Sequence, residues 1–237
     1  LIYSRVLKSL GKDVFNEVES DVLDRLLTWG FEDRDETVST SCKKLVAFTW
    51  LNVLEGDIIE LLEHIDVMHS SYSEKALYAL FEQRPDVIEK VKFPNEVWES
   101  LTVETVFLLK CFYFHCLDNN LEAVVEENFP EALKFAEYLA VYFNRRMNND
   151  GSLTKTDIKY LDFILEQLLE IAYRYDFSDE VGRRDMLNIV RNFIGKGVVL
   201  NERLIKIALK VLKILSINER DFITMTVEII NDIKYED

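Results

Sequence analysis

Eight basic side chains between residues 179 and 215 have the types and spacing to do one kind of chemistry, the neutralisation of phosphate. They are Arg183, Arg184, Arg191, Lys196, Arg203, Lys206, Lys210 and Lys213, set against four acidic residues in the same window. The whole chain carries −15, so this +4 island leaves −19 for the rest. A surface that only keeps a protein soluble has no reason to concentrate positive charge in this way. Arg203, Lys206, Lys210 and Lys213 recur at i, i+3, i+7 and i+10. On a helix they cover an arc of about 80°, and apolar residues take most of the remaining circumference. The spacing therefore predicts a helix over 201–215, buried nearly all round, with one cationic stripe. Arg184 and Arg191, seven apart, share a face of the preceding helix, and Arg183 lies about 80° from Arg191. Arg5 and Lys8, with Lys12, repeat at i, i+3 and i+7 and form a smaller cationic face near the start. Such cations hold a nucleic-acid backbone without reading its sequence. The ordinary alternative is a solvated face whose stems lie on apolar surface, or an Arg184 paired to acidic residues of a neighbouring repeat.

Other chemistries find no support in the residues. Cys111 and His115 stand at i, i+4 with Cys116 adjacent, but on the most apolar stretch of the chain and without a second ligand pair. They read as buried small hydrophobes and a satisfied core histidine, not as a metal site. His64 and His69 flank a helix end and are expected at the surface. Asn149, Asp150 and Gly151 faintly resemble a calcium loop, but Arg146 occupies the first ligand position. Glycine-rich phosphate cradles, nucleophile elbows and Ser/His/Asp sets are missing from the sequence, and Glu126–Glu127 reads as a solvated acidic helix end. The expectation is a protein with no catalytic residues, no cofactor and no metal.

The elements that must position the cations follow from composition. Nearly half of the 237 residues are apolar, while Gly (7) and Pro (3) are scarce. Long helices joined by short loops fit that balance better than a fold of many tight turns. Three cysteines in apolar surroundings suit a reducing compartment. The most apolar run, 103–117, contains Glu104 and Lys110 and is too short to span a bilayer, so no membrane partner is expected. The chain begins at Leu1 without Met, which predicts a segment of something longer.

Apolar periodicity predicts helices over 1–10, 21–29, 37–54, 57–64, 73–83, 102–118, 121–128, 130–146, 157–175, 179–194, 201–215 and 218–233. Gly11 and Gly30 serve as stops, Pro130 as a start, and Ser178 and Asn218 as N-caps. Residues 147–156 read as a loop of low order. These helices pair at about 35–45 residues per pair, the spacing of HEAT or armadillo hairpins. The fold class expected is all-α, an α-solenoid of tandem HEAT-like hairpins forming one contiguous segment over 1–237.

A family resemblance takes the reading further. In WGFEDRDETVSTSCKKLVAFTWL (29–51) the acidic turn before Val38 resembles the Asp-then-Val pattern of HEAT motifs. Ser39 stands where the repeats often carry Arg, so an Asp–Arg packing pair is not expected there. With LIYSRVLKSLG (1–11), LDNNLEAVVEENFPEA (117–132), YDFSDEVGRRDMLNIVRN (175–192) and LSINERDFITMTVEIINDI (215–233), the chain resembles the condensin HEAT-repeat subunit of the CAP-G type, fungal, as an internal fragment. The resemblance implies a non-catalytic subunit that binds the kleisin chain of condensin and double-stranded DNA, and meets the SMC ATPase subunits indirectly. It also implies a place in the nucleus and on chromosomes during mitotic condensation. The rival expectation is a HEAT-type adaptor or scaffold that binds only protein, which the −15 net charge favours.

Overall fold

The computed structural model describes residues 12, 15–148, 153–195, 201–216, 224 and 227. Among these every regular element is a helix. In chain order they are α1 (Ser20–Glu32), α2 (Glu36–Lys44), α3 (Ile58–Ile65), α4 (Ser73–Gln83), α5 (Pro85–Lys90), α6 (Asn95–Glu99), α7 (Val103–Asp118), α8 (Glu122–Asn128), α9 (Ala132–Met147), α10 (Lys155–Arg174), α11 (Glu180–Gly195) and α12 (Glu202–Ser216). α2 continues without a break into a π-helical stretch, Leu45–Trp50, and a last α turn, Leu51–Val53. The helices predicted over 1–10 and 218–233, and the stop at Gly11 and cap at Asn218, lie outside the described residues.

By its packing the chain divides into two compact units. The first comprises residues up to Lys92 with Val103–Val124, the second Phe93–Thr102 with the chain from Val125 onward. In the second unit α9 packs on α10 and α11 on α12, while α9 also packs on α11 and α10 on α12. That pattern, each helix against its hairpin partner and against the equivalent helix of the next hairpin, builds two layers: α9 with α11, and α10 with α12. The first unit repeats the scheme, with α1 against α2 and α3, and α4 against α2 and α7.

Local chemistry explains most boundaries. Asp35 caps α2 by accepting the Thr37 N–H at 2.8 Å; the Thr37 side chain and then this backbone bond hold its carboxyl below the usual range. Thr154 and Asp157 form a reciprocal capping box that opens α10 inside the predicted loop, so of 147–156 only a short stretch separates the two helices. Three expectations fail for stated reasons. Gly30 does not stop α1; it lies buried within it. A Cβ there would stand 2.3 Å from Cys42 Sγ, so the glycine is a contact point between α1 and α2. Pro130 does not start α9, whose N-cap is Glu131; the Pro130 carbonyl accepts the Tyr175 hydroxyl instead. Ser178 does not cap α11. Asp179 does, accepting the Gly182 N–H at 2.7 Å, while Ser178 Oγ donates to Asp176.

The cores are aromatic. Phe143 of α9 stacks on Phe193 of α11 with centroids 3.9 Å apart, and Trp98 is enclosed by Phe129, Phe135 and Tyr138. The buried Tyr142 hydroxyl accepts the Leu101 N–H at 2.7 Å and donates to the Trp98 carbonyl at 3.3 Å. In the first unit α7 is buried nearly throughout, Lys110 included. Its ammonium lies 3.2 Å from Glu74 and over the Phe107 ring. No described helix is long and apolar enough to cross a membrane.

Candidate nucleic-acid interface

α12 forms because Leu204, Ile207, Ala208, Val211, Leu212 and Leu215 fall on one face and are all buried. Each large aliphatic side chain so removed from water contributes about 1.5–3 kcal/mol. Asn201 fixes the start by accepting the Leu204 N–H at 2.8 Å. The opposite face carries Arg203, Lys206, Lys210 and Lys213, all exposed. The burial is narrower than predicted, about half the circumference, because Leu209 is also exposed and Ile205 and Ile214 are half-buried. Lys206 pairs with Glu202 at 2.5 Å within its own helix. Arg203, Lys210 and Lys213 make no ion pair among the described residues. Their positive field is therefore directed to solvent rather than quenched by a carboxylate.

A partly buried network ties the start of this helix to α9 and α10. Arg146, in the last turn of α9, donates its Nε–H to Asp162 of α10 at 2.7 Å, and the two side chains are only 9% and 13% exposed. The other oxygen of Asp162 accepts the Asn201 side-chain amide at 3.4 Å. Two helices and the cap of the stripe helix thus meet at one carboxylate.

The cations of α11 are placed differently. Arg184 is exposed and pairs with Glu180 of its own helix at 2.6 Å, not with a neighbouring repeat. Arg183 and Arg191 are half-buried. Because α11 belongs to the layer of α9, and α12 to that of α10, the packing divides the predicted ridge between the two layers. The four residues of α12 form the self-contained part. Arg5, Lys8 and Lys196 lie outside the described residues.

The cysteines and two of the three histidines behave as core. Cys42, Cys111 and Cys116 are buried free thiols, and burial pushes Cys116 up to about 11. His115 packs against Phe81 with centroids 5.2 Å apart, and burial lowers its pKa. His64, expected at the surface, is half-buried edge-on to Phe15 and also depressed by burial. His69 is exposed, 2.9 Å from Asp66. Among the described residues no three His, Cys, Asp or Glu side chains could hold a metal ion together.

One surface feature escaped the sequence reading. In the first unit Leu26, Trp29, Val38, Leu45 and Phe48 line a cavity of about 530 Å³, with Asp33 and Lys44 at its edge. Trp29 is 66% exposed, the most exposed large hydrophobe among the described residues. The π-helical stretch forms one wall; such stretches re-aim side chains and frequently mark functional sites. Arg84 braces it, its guanidinium over Phe48 and 3.4 Å from the Ala47 carbonyl. Periodicity could not reveal this groove, because a π turn breaks the 3.6-residue register on which it relies.

Hairpins stacked in two layers define an α-solenoid of HEAT-like units, here with a cationic stripe and an apolar groove. No family model matches the chain. It is 51% identical over 241 residues to condensin complex subunit 3 of Saccharomyces cerevisiae, covering 100% of this chain and 23% of that protein. To condensin complex subunit 3 of Schizosaccharomyces pombe it is 30% identical over 236 residues, covering 98% and 26%. The crystal structure of the S. pombe condensin Cnd3-Cnd2 subcomplex matches with a TM-score of 0.85 at 30% identity, over 98% of this chain and 31% of that one. The chain belongs to the condensin complex subunit 3 family. It spans about a quarter of the length of the curated relatives it matches.

Proposed function

We propose that this chain serves condensin as a non-catalytic scaffold that holds double-stranded DNA by its phosphates and captures a segment of the kleisin subunit. It would support mitotic chromosome condensation in the nucleus, with the SMC ATPase subunits supplying the energy. The observation that carries the DNA reading is the stripe of α12: four exposed cations on one face, three without an ion pair among the described residues, on a chain of net charge −15. Contacts of this kind position a duplex and do not read its sequence. The kleisin reading is supported by the likeness to a chain of the Cnd3-Cnd2 subcomplex. It is supported too by the groove of Trp29, Val38 and Phe48, which opens beside the acidic turn of Glu32, Asp33, Asp35 and Glu36. An apolar floor with the acidic turn to one side suits an extended segment that brings apolar anchors with a Lys or Arg next to them.

Reversing charge at Lys206→Glu and Lys210→Glu tests the stripe. Duplex affinity is expected to fall and its salt dependence to flatten in a fluorescence-polarisation titration. Unchanged affinity would remove the stripe from the interface. The strongly acidic remainder of the chain favours a second reading, an adaptor that binds protein only. That reading expects kleisin capture together with indifference to duplex DNA even at low salt.

A further inference from the structure

We infer that Lys155 and Lys159 of α10 belong to the same phosphate-binding surface as the stripe of α12, so that two adjacent helices share it; this rests on the reading of α12 as a duplex contact. α10 and α12 pack side by side in one layer. Their register is fixed where Asn201, the cap of α12, donates to Asp162 of α10 at 3.4 Å while Arg146 holds the other oxygen of that carboxylate. Lys159 and Lys155 lie three and seven residues before Asp162, about 5 and 10 Å of helical rise away. Both are exposed, and neither makes an ion pair among the described residues. The surface therefore gains two cations within a turn or two of the point at which α12 begins.

The placement of these cations is itself informative. Lys155 is the first residue of α10 and Lys159 the fifth; Arg203 is the second residue of α12 and Lys206 the fifth. Each first turn holds one acidic residue, Asp157 in α10 and Glu202 in α12, while Lys155 and Arg203 beside them sit against the partial positive charge of the helix N-terminus. An anion resting on the surface reverses that penalty: cations and dipole ends then act on it together. The local carboxylates do not serve as that anion. Asp157 is taken up in the capping box with Thr154, and Glu202 neutralises only Lys206. Farther along α10 the half-exposed Glu166 and Glu170 follow, which confines its contribution to the first two turns. The ligand chemistry is a row of phosphates, supplied by one strand of a duplex backbone.

The test compares two double variants of the full chain, Lys155→Gln/Lys159→Gln and Lys210→Gln/Lys213→Gln, in titrations of a short labelled DNA duplex over a series of salt concentrations. All four positions are exposed and Gln is a good helix former, so folding is retained. Each pair is expected to weaken binding and to lower the slope of log K against log salt by about 1.8. A slope unchanged in the α10 variant but lowered in the α12 variant overturns the shared surface and leaves the stripe standing. Slopes unchanged in both overturn the stripe as well.

Discussion

At the scale of single residues, two positions decide how the helices of the second unit pack. Gly182 lets the start of α11 approach the start of α9; a Cβ there would lie 2.8 Å from both the Ala132 Cβ and the Leu133 backbone nitrogen. Backbone cannot step aside as a flexible side chain can. Gly182→Ala is therefore expected to destabilise the protein by about 1–3 kcal/mol in chemical denaturation, although alanine is the better helix former. An unchanged midpoint would contradict the close packing. Asp162 is the second position. Replacing it by Leu leaves the Arg146 guanidinium in a poorly solvated site and is expected to cost about 3–5 kcal/mol. The pair Arg146→Met/Asp162→Leu should recover much of that loss, because two charges then leave the interior together. Equal losses in the single and double variants would show that the ion pair is not the issue.

At the scale of elements, helix existence is written in the apolar period, while helix ends and helix contacts are not. The sequence placed α4 and α7 almost residue for residue, α4 by its 3.6-residue pattern and α7 as a long apolar run closed by Asn119–Asn120. Gly30 misled because a glycine in a helix signals either a stop or a close approach, and only the partner helix distinguishes them. The short α5 and α6 were not predicted, since five or six residues cannot establish a period. The α12 stripe was legible because charge and period coincide there. Lys155 and Lys159 were not, because their relation to Asn201 exists only once α10 and α12 are adjacent. Element packing also fixes a pH dependence. Burial against α4 lowers the His115 pKa, so the folded state binds its proton less readily than the unfolded chain. This contribution is fully present above the unfolded value of about 6.5 and is lost as pH falls from there toward the folded value. His115→Phe is expected to flatten the fall in thermal stability below pH 6.5. A slope identical to that of the parent chain would remove His115 as its source.

At the scale of the whole molecule, the groove sits in one unit and the stripe in the other, so the two proposed activities should separate by mutation. Trp29→Ala is expected to weaken capture of a kleisin segment about tenfold or more, since an exposed aromatic anchor commonly carries 1.4 kcal/mol or more of binding energy. Duplex affinity should stay unchanged. Isothermal titration with kleisin and polarisation with DNA, on the same preparation, would measure both. A parallel loss of the two activities would point to general unfolding rather than to two surfaces. The charge balance bears on the same division: a chain of −15 repels nucleic acid overall, and under the proposed reading the stripe is the local exception.

The central claim is that the cations of α12 displace counterions from a duplex. The most direct measurement is the salt dependence of duplex affinity for the parent chain and for Arg203→Gln/Lys206→Gln/Lys210→Gln/Lys213→Gln. The slope of log K against log salt is expected to fall by about 2.7 from the three cations without an ion pair, and by less than about 0.9 more from Lys206, which Glu202 already neutralises. Superimposable lines for the two proteins would contradict the claim.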